Sequence, residues 1–199
     1  KAGVEAVIAP PYYFGLNPST GMFPGSLSME KKTMVSALSQ LLQELGRFGF
    51  VRQFIINHHG DPDHNDALAE AIKVVREGGI DAVLTLGGFV GGIVEQAYLS
   101  AFGKPLPLPD EAILKAEESE TTRRARESLV RSTLSVHAEE RETSMIMRWF
   151  PELLSDEVDV RTLEPALPSP EDLADAIQRG RWREVAPLGY IGDPSVATR

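Results

Sequence analysis

The sequence predicts an α/β fold: a three-layer α/β/α arrangement around a mostly parallel sheet, in a single domain over residues 1–199. Short apolar runs that suit buried strands alternate with longer segments in which apolar residues recur every three or four positions. This alternation indicates βαβ units with right-handed crossovers, whose helices cover both faces of the sheet. A chain of 199 residues can bury one core of this kind.

Three apolar runs are predicted to be buried parallel strands, at residues 4–9, 54–56 and 82–86. A loop rich in proline, glycine and aromatic residues occupies residues 10–27, and loops of this length in compact domains are usually functional. In a parallel sheet, ligands bind at the carboxyl ends of the strands. The loops that follow the three runs are therefore the first places to look for a site.

Amphipathic helices are predicted after the long loop and after the second strand. Ser28 is the expected N-cap of the first helix, which buries Met34 and Leu38 and ends near Gly46. The second helix presents Leu68 on its apolar face and ends at a pair of glycines.

The C-terminal half has a weaker pattern. Residues 111–130 have a helix-forming composition with an interrupted apolar stripe, which favours a lid or a subunit contact over a core helix. Residues 143–149 are predicted to be helical up to Pro151, and Ser169 is predicted to begin another short helix.

Composition excludes several classes of partner. The net charge of −9 and the pI near 5.0 oppose binding to nucleic acid or to an anionic membrane. No apolar run approaches the ~20 residues that cross a bilayer, and the absence of cysteine leaves His, Asp and Glu as metal ligands. We therefore expect a cytoplasmic protein that acts on a small molecule.

The strongest local feature is the segment Asn57-His58-His59-Gly60-Asp61, which follows a predicted strand. Alternate residues of an extended turn can direct His59 and Asp61 toward one centre, and imidazole with carboxylate suits Zn or Mn. On spacing alone, a polar turn before a helix capped by Asp63 or Asn65 explains the segment equally well.

Three further features remain open when each is taken alone. His137 and Glu142 suit proton transfer, but they also suit a charged surface at a helix start. Tyr12 and Phe23 either line a pocket or pack under the long loop. The glycine-rich residues 87–92 fit tight chain turning better than phosphate binding, because they lack the Lys-Ser/Thr of a P-loop.

Five motifs in order resemble the creatininase (creatinine amidohydrolase) family of metal-dependent hydrolases. They are Pro10-Pro11-Tyr12; Phe23-Pro24-Gly25-Ser26-Leu27-Ser28; Asn57, His59 and Gly60 after a strand; His137-Ala138 with Glu142-Thr143-Ser144; and Gly192-Asp193-Pro194 with Ala197-Thr198. Their order covers nearly the whole chain, which makes the set far more specific than any one member.

The resemblance implies an α/β/α fold, commonly a hexamer, and a divalent metal site that holds one or two ions of Zn, Mn or Fe. It makes His59 a metal ligand, and it makes Asp61 a ligand of a second ion because some members carry Glu at that position. His137 matches a histidine near the substrate, and Glu142 matches an acid that acts as base or ligand. Tyr12, Phe23 and His58 are the expected substrate-binding residues.

Two departures from the family pattern carry further expectations. Members usually have an N-terminal Glu-x-His-Gly segment and a following Asp that supply metal ligands, and a last helix at the C-terminus. We therefore expect this domain to lack both. Members that cleave creatinine carry tryptophans near the substrate lid, whereas residues 129–136 contain none, so creatinine is not the expected substrate. His58, where Gly is usual, should narrow the pocket.

The expected function is that of a metal-dependent amidohydrolase that opens a cyclic amide or related C–N bond. A divalent ion lowers the pKa of its bound water toward ~7, the hydroxide attacks the carbonyl, and His137 or Glu142 moves the proton to the leaving group. A lactone or cyclic-ketone hydrolase of a sugar or inositol pathway is the nearest alternative. A non-catalytic small-molecule-binding domain, or a scaffold that has lost its chemistry, are the others.

Overall fold

A parallel sheet with the strand order β1-β2-β3 forms the centre of the computed structural model, which describes residues 3, 5–87, 95, 98–99, 101–116, 120, 123–124 and 137–198. The elements are α1 (Lys31–Arg47), β1 (Arg52–Ile56), α2 (Pro62–Glu77), β2 (Asp81–Gly87), β3 (Ile113–Ala116), α3 (Glu140–Trp149), α4 (Pro170–Gln178) and α5 (Trp182–Val185). Short 3-10 turns lie at Asp110–Ala112, Pro151–Leu153, Val160–Thr162 and Pro194–Val196. Phe54 pairs with Val83, and Leu84 pairs with Ile113. The predicted α/β class and parallel sheet are confirmed.

The main core lies between the sheet and the helices α1 and α2. Met34 and Leu38 of α1, Ile72 of α2 and Leu84 of β2 are among its buried members. Their spacing along each helix is the three- and four-residue step that places side chains on one face. Both of these helices and the strand over residues 82–86 were predicted, and all three are confirmed.

A second, smaller apolar cluster lies in the C-terminal part of the chain. Leu173, Trp182, Ala186 and Ile191 are buried in it, and Met22 and Phe23 pack against it from the long N-terminal loop. This loop therefore contacts both apolar clusters, because its earlier residue Leu16 is buried in the main core.

Two predicted strands differ from the structure. Residues 5–10 form no strand, and Val7 and Ile8 are 75% and 93% exposed. The second run is a strand, but its side chains alternate: Phe54 and Ile56 are 53% and 82% exposed, whereas Gln53 between α1 and the sheet is buried. β1 is an edge strand, and within the described residues only its α1–α2 side is covered, so an apolar run did not mean burial on both faces.

The predicted cap of α1 was also wrong. Glu30 occupies the N-cap position, and the Ser28 hydroxyl instead accepts a hydrogen bond from the Asn17 N–H at 3.0 Å.

The segment over residues 111–130, which has a helix-forming composition, contains the extended strand β3 because β3 pairs with β2. Residues 88–92 of the glycine-rich segment, and most of residues 117–130, lie outside the described part of the chain.

None of the helices among the described residues has the length and apolar character needed to cross a membrane.

Candidate active site

The turn after β1 is built on a network of two buried asparagine side chains. Asn57 Oδ1 accepts a hydrogen bond from the His59 N–H at 3.1 Å, and Asn57 Nδ2 donates one to the His59 carbonyl at 3.0 Å. The Asn65 amide donates to the carbonyls of His59 and Asp61 at 2.9 and 2.8 Å, and its oxygen accepts from Asn57 at 2.9 Å. The backbone on both sides of His59 is therefore fixed at the carboxyl end of a strand, where ligands bind in parallel sheets.

Asp61 is the N-cap of α2, and its side chain is 5% exposed. Oδ1 accepts from the N–H groups of Asp63 and His64 at 3.0 and 3.4 Å, which is the usual use of an N-cap carboxylate. Oδ2 accepts from the Ser19 N–H at 3.2 Å and the Ser19 hydroxyl at 2.7 Å. An ionised carboxylate has about four acceptor positions, so this arrangement uses them all.

His59 and His64 hold one residue of the long loop between them. His59 Nε2 lies 3.1 Å from the Leu16 carbonyl, and His64 Nδ1 lies 3.3 Å from the Leu16 nitrogen. Because a carbonyl only accepts, His59 carries its proton on Nε2, whereas His64 accepts on Nδ1 and carries its proton on Nε2. The two rings meet edge to face with centroids 4.8 Å apart. His64 is buried, with 8% of its surface exposed.

Burial, followed by the neighbouring His59, lowers the pKa of His64 from 6.5 to about 4, against the opposing effect of Asp61. The desolvated ring disfavours its charged form, so His64 is neutral at pH 7. Burial also raises the pKa of the Asp63 carboxyl, helped by the negative charges of Asp61 and Asp66. The first turn of α2 is therefore an acidic environment in which His64 remains uncharged.

The predicted pair His137 and Glu142 lies in a second turn, at the start of α3. His137 exchanges both backbone hydrogen bonds with Ile191, at 3.2 and 2.7 Å, and its ring meets Trp182 edge to face with centroids 5.9 Å apart. The Glu142 carboxylate accepts from the Ala138 N–H at 2.5 Å. Ala138 has a φ of 47°, so Glu142 stabilises a left-handed residue next to His137.

Sequence reasoning missed two buried carboxylates at this second turn, Glu139 and Glu140. Glu139 is the N-cap of α3 and accepts from the N–H groups of Arg141 and Glu142, and its side chain is fully buried beside Arg141. Glu140, also fully buried, accepts from the Asp193 N–H at 3.1 Å. The spacing of Glu139 and Glu142 resembles a capping box, in which an N-cap acceptor is followed three residues later by Glu, and this signal was available in the sequence.

The three predicted substrate-binding residues occupy different surroundings. His58 is exposed. The Tyr12 hydroxyl donates to Met29 Sδ at 3.2 Å, and its ring packs beside the main core. Phe23 packs on the C-terminal cluster, with the Arg183 guanidinium 5.2 Å from its ring centroid. The structure therefore assigns Tyr12 and Phe23 to two separate apolar clusters.

The long loop contacts both the His59 turn and the C-terminal cluster. The Met29 N–H donates to the Gly15 carbonyl at 2.9 Å, so the loop closes on itself next to His64. A Cβ added to Gly15 would lie 2.7 Å from His64 Nδ1, which only glycine avoids. Ser19 then contacts Asp61, and Phe23 contacts the C-terminal cluster. The loop thus links the His59 turn with the part of the chain that carries His137.

The donor set fits a metal ion at His59 better than at Asp61. A histidine ligand usually donates its second ring N–H to a carbonyl or carboxylate, and the His59 Nε2–H bond to Leu16 has this form and leaves Nδ1 as a donor atom. Asp61 binds a metal only by giving up the hydrogen bonds from Ser19. Within the described ranges, no group of three or more His, Asp or Glu side chains is placed to hold an ion.

Comparison with known proteins identifies the family. The creatinine amidohydrolase (creatininase) family model matches residues 1–199. A mycofactocin precursor peptide peptidase of Mycolicibacterium smegmatis (strain ATCC 700084 / mc(2)155) is 27% identical over 198 residues, which is 98% of this chain and 59% of the relative.

Solved creatininase structures have the same fold. One described as creatininase Mn is 18% identical with a TM-score of 0.51, and a glutamate-to-glutamine mutant complexed with creatine is 18% identical with a TM-score of 0.52. Each comparison covers 94% of this chain and 65% of the other. The chain spans less than two thirds of the length of these relatives, but the family match extends over all of its residues. The chain belongs to the creatininase family.

Proposed function

We propose that this chain forms part of a metal-dependent amidohydrolase that cleaves an amide C–N bond, with His59 as a metal ligand. The observation that supports this proposal best is the His59 ring at the carboxyl end of β1, whose Nε2–H is bound by the Leu16 carbonyl and whose Nδ1 has no hydrogen bond to any of the described residues. The family match and the fold shared with a manganese creatininase agree with it. Mn or Zn suits this nitrogen and oxygen donor chemistry.

Asp61 is the second proposed ligand, through Oδ2 and in exchange for the two hydrogen bonds from Ser19. Its other oxygen remains the cap of α2. A divalent ion bound by these residues supplies Lewis-acid activation of a water and of the scissile carbonyl.

His137 is the proposed proton carrier. Its backbone is fixed by Ile191 on one side, and its ring is exposed, which permits contact with a substrate. Histidine exchanges protons near neutral pH, as transfer to a leaving amine requires. Glu142 holds the Ala138 amide and so orients the turn that presents His137.

The proposed substrate class is a cyclic amide or a related small-molecule C–N bond. A peptide bond is the second candidate, and the observation that favours it is the 27% identity with a peptide peptidase over nearly the whole chain. A panel of cyclic amides, lactones and short peptides, analysed by mass spectrometry for addition of water, distinguishes these classes.

Replacement of His59 tests the proposal. The full-length His59→Ala protein should lose stoichiometric Mn²⁺ binding and turnover, whereas the adjacent exposed variant His58→Ala should keep metal binding. Electron paramagnetic resonance of free Mn²⁺ measures binding directly. Retention of both metal and turnover by His59→Ala would show that the site lies elsewhere.

A further inference from the structure

We propose that Asn65 is a positioning residue that fixes the orientation of the His59 imidazole. The side chain is completely buried in the first turns of α2, although asparagine is a poor former of helix interiors. Burial of an amide is unfavourable unless its donors and acceptor are bonded. Any stabilisation that Asn65 provides must therefore come from the groups to which its amide is hydrogen-bonded.

Those groups belong to the strand-end turn and to the cap residue that begins the helix. Asn65 Nδ2 donates to the carbonyls of His59 and Asp61, and Oδ1 accepts from Asn57. Asn57 completes the set, because its second N–H also donates to the His59 carbonyl and its oxygen accepts the His59 N–H. All the amide donors of the two side chains are used: two converge on the His59 carbonyl, one reaches the Asp61 carbonyl and one links the two side chains.

This convergence leaves the imidazole little freedom. The backbone of His59 is bonded at its N–H and its carbonyl, and the ring is bonded through Nε2 to Leu16. The direction of Nδ1 follows from these constraints. Residues that orient a histidine ligand in this way commonly change metal affinity 10–100-fold when replaced.

The inference rests on the proposed role of His59 and is tested with two variants of the full-length protein. Asn65→Asp keeps the shape but places a carboxylate oxygen against the two carbonyls. Asn65→Ser keeps a donor that can reach the Asp61 carbonyl one helical turn back, but none for the His59 carbonyl. Ile72→Ala, in the buried face of the same helix, is the matched control for a loss of stability alone.

Two measurements decide the outcome. We expect Asn65→Asp and Asn65→Ser to weaken Mn²⁺ binding by about 10–100-fold, whereas Ile72→Ala lowers the melting temperature and leaves Mn²⁺ affinity unchanged. In the metal-free protein, nitrogen NMR should show that His59 loses its single Nε2–H tautomer in the Asn65 variants and that His137 does not change.

Unchanged His59 ring signals in both Asn65 variants would overturn the inference. If His59→Ala keeps its metal, the proposed function fails, and the ring signals of the metal-free protein still decide whether Asn65 orients His59. A fall in Mn²⁺ affinity of the same size in Ile72→Ala would also overturn the inference, because it would assign the effect to stability.

Discussion

Ser19 donates both its backbone N–H and its hydroxyl to one oxygen of Asp61, at 3.2 and 2.7 Å. The same carboxylate caps α2 through its other oxygen. A residue predicted from the sequence to be a metal ligand is therefore also the point at which the long loop is attached to the helix.

Replacement of Ser19 by alanine separates these two roles of Asp61. We expect the free energy of unfolding to fall by ~1–3 kcal/mol, because one hydrogen bond to a buried carboxylate is lost. If Asp61 is a ligand, Mn²⁺ affinity should rise, since the ion competes with one hydrogen bond instead of two. Urea unfolding and Mn²⁺ titration measure the two effects.

Ser28→Ala is the control for a loosened loop, since its hydroxyl contacts Asn17 and not Asp61. A gain of Mn²⁺ affinity in both variants would assign the effect to the loop as a whole. No gain in Ser19→Ala would remove Asp61 from the ligand set.

The lowered pKa of His64 predicts how the free energy of unfolding depends on pH. This pKa is about 4 in the folded chain, compared with the ordinary histidine value of 6.5. Between these values the unfolded chain binds more protons, so the contribution of His64 is complete above pH 6.5 and is lost as pH falls toward 4. The loss should be roughly 2–3 kcal/mol, at about 1.4 kcal/mol per pKa unit.

Urea unfolding of the metal-free protein in chelator, at pH 7 and at pH 4.5, measures this loss. The variant His64→Asn keeps an oxygen near the position of Nδ1 but does not titrate, so its stability should fall less over the same interval. Parallel pH profiles for the two proteins would show that His64 is not the group responsible.

Gly15 is predicted to be sensitive to the addition of a single methyl group. The Cβ of Gly15→Ala would lie 2.7 Å from His64 Nδ1 and 2.8 Å from His64 Cε1, and neither the buried ring nor the loop can yield easily. Overpacking of this kind costs ~1–3 kcal/mol. In the His64→Ala background the cost should shrink, and a double-mutant cycle of unfolding free energies measures the coupling. An equal cost in both backgrounds would contradict the contact.

His137 and Glu142 can be distinguished by conservative variants. His137→Gln should reduce kcat by ~10²–10⁴-fold, as expected for loss of a general acid–base, and should leave Mn²⁺ affinity unchanged. Glu142→Gln keeps a carbonyl oxygen that can accept from Ala138, so it should remain active if Glu142 only orients the turn. Loss of kcat in Glu142→Gln with normal stability would instead identify Glu142 as the base.

The sequence predicted those parts of the fold that follow from local periodicity. The faces of α1 and α2, the strand β2 and the cap of α4 by Ser169 are as expected. Apolar character alone could not show that residues 7 and 8 would be exposed, because exposure depends on which elements pack against a run. The extended state of β3 depends on pairing with β2, a contact between distant residues that periodicity does not encode.

The sequence indicated which residues belong to the candidate site but not which groups they contact. The H-x-D pattern drew attention to His59 and Asp61, but the local sequence could not show that Ser19 donates two hydrogen bonds to one oxygen of Asp61. Asn65 was a candidate cap because α2 was expected to begin later than it does. Once Asp61 is the cap, the helical repeat directs the side chains of His64 and Asn65 inward.

The long loop also has a consequence for the order in which the chain folds. Its residue Phe23 lies against Gly189, so the C-terminal cluster is completed by residues from opposite ends of the sequence. Contacts between distant residues form slowly, because the chain entropy of closing a large loop must be overcome first. We expect α1, β1, α2 and β2 to acquire protection from hydrogen exchange early in refolding, and the cluster around Trp182 to follow only when Phe23 docks.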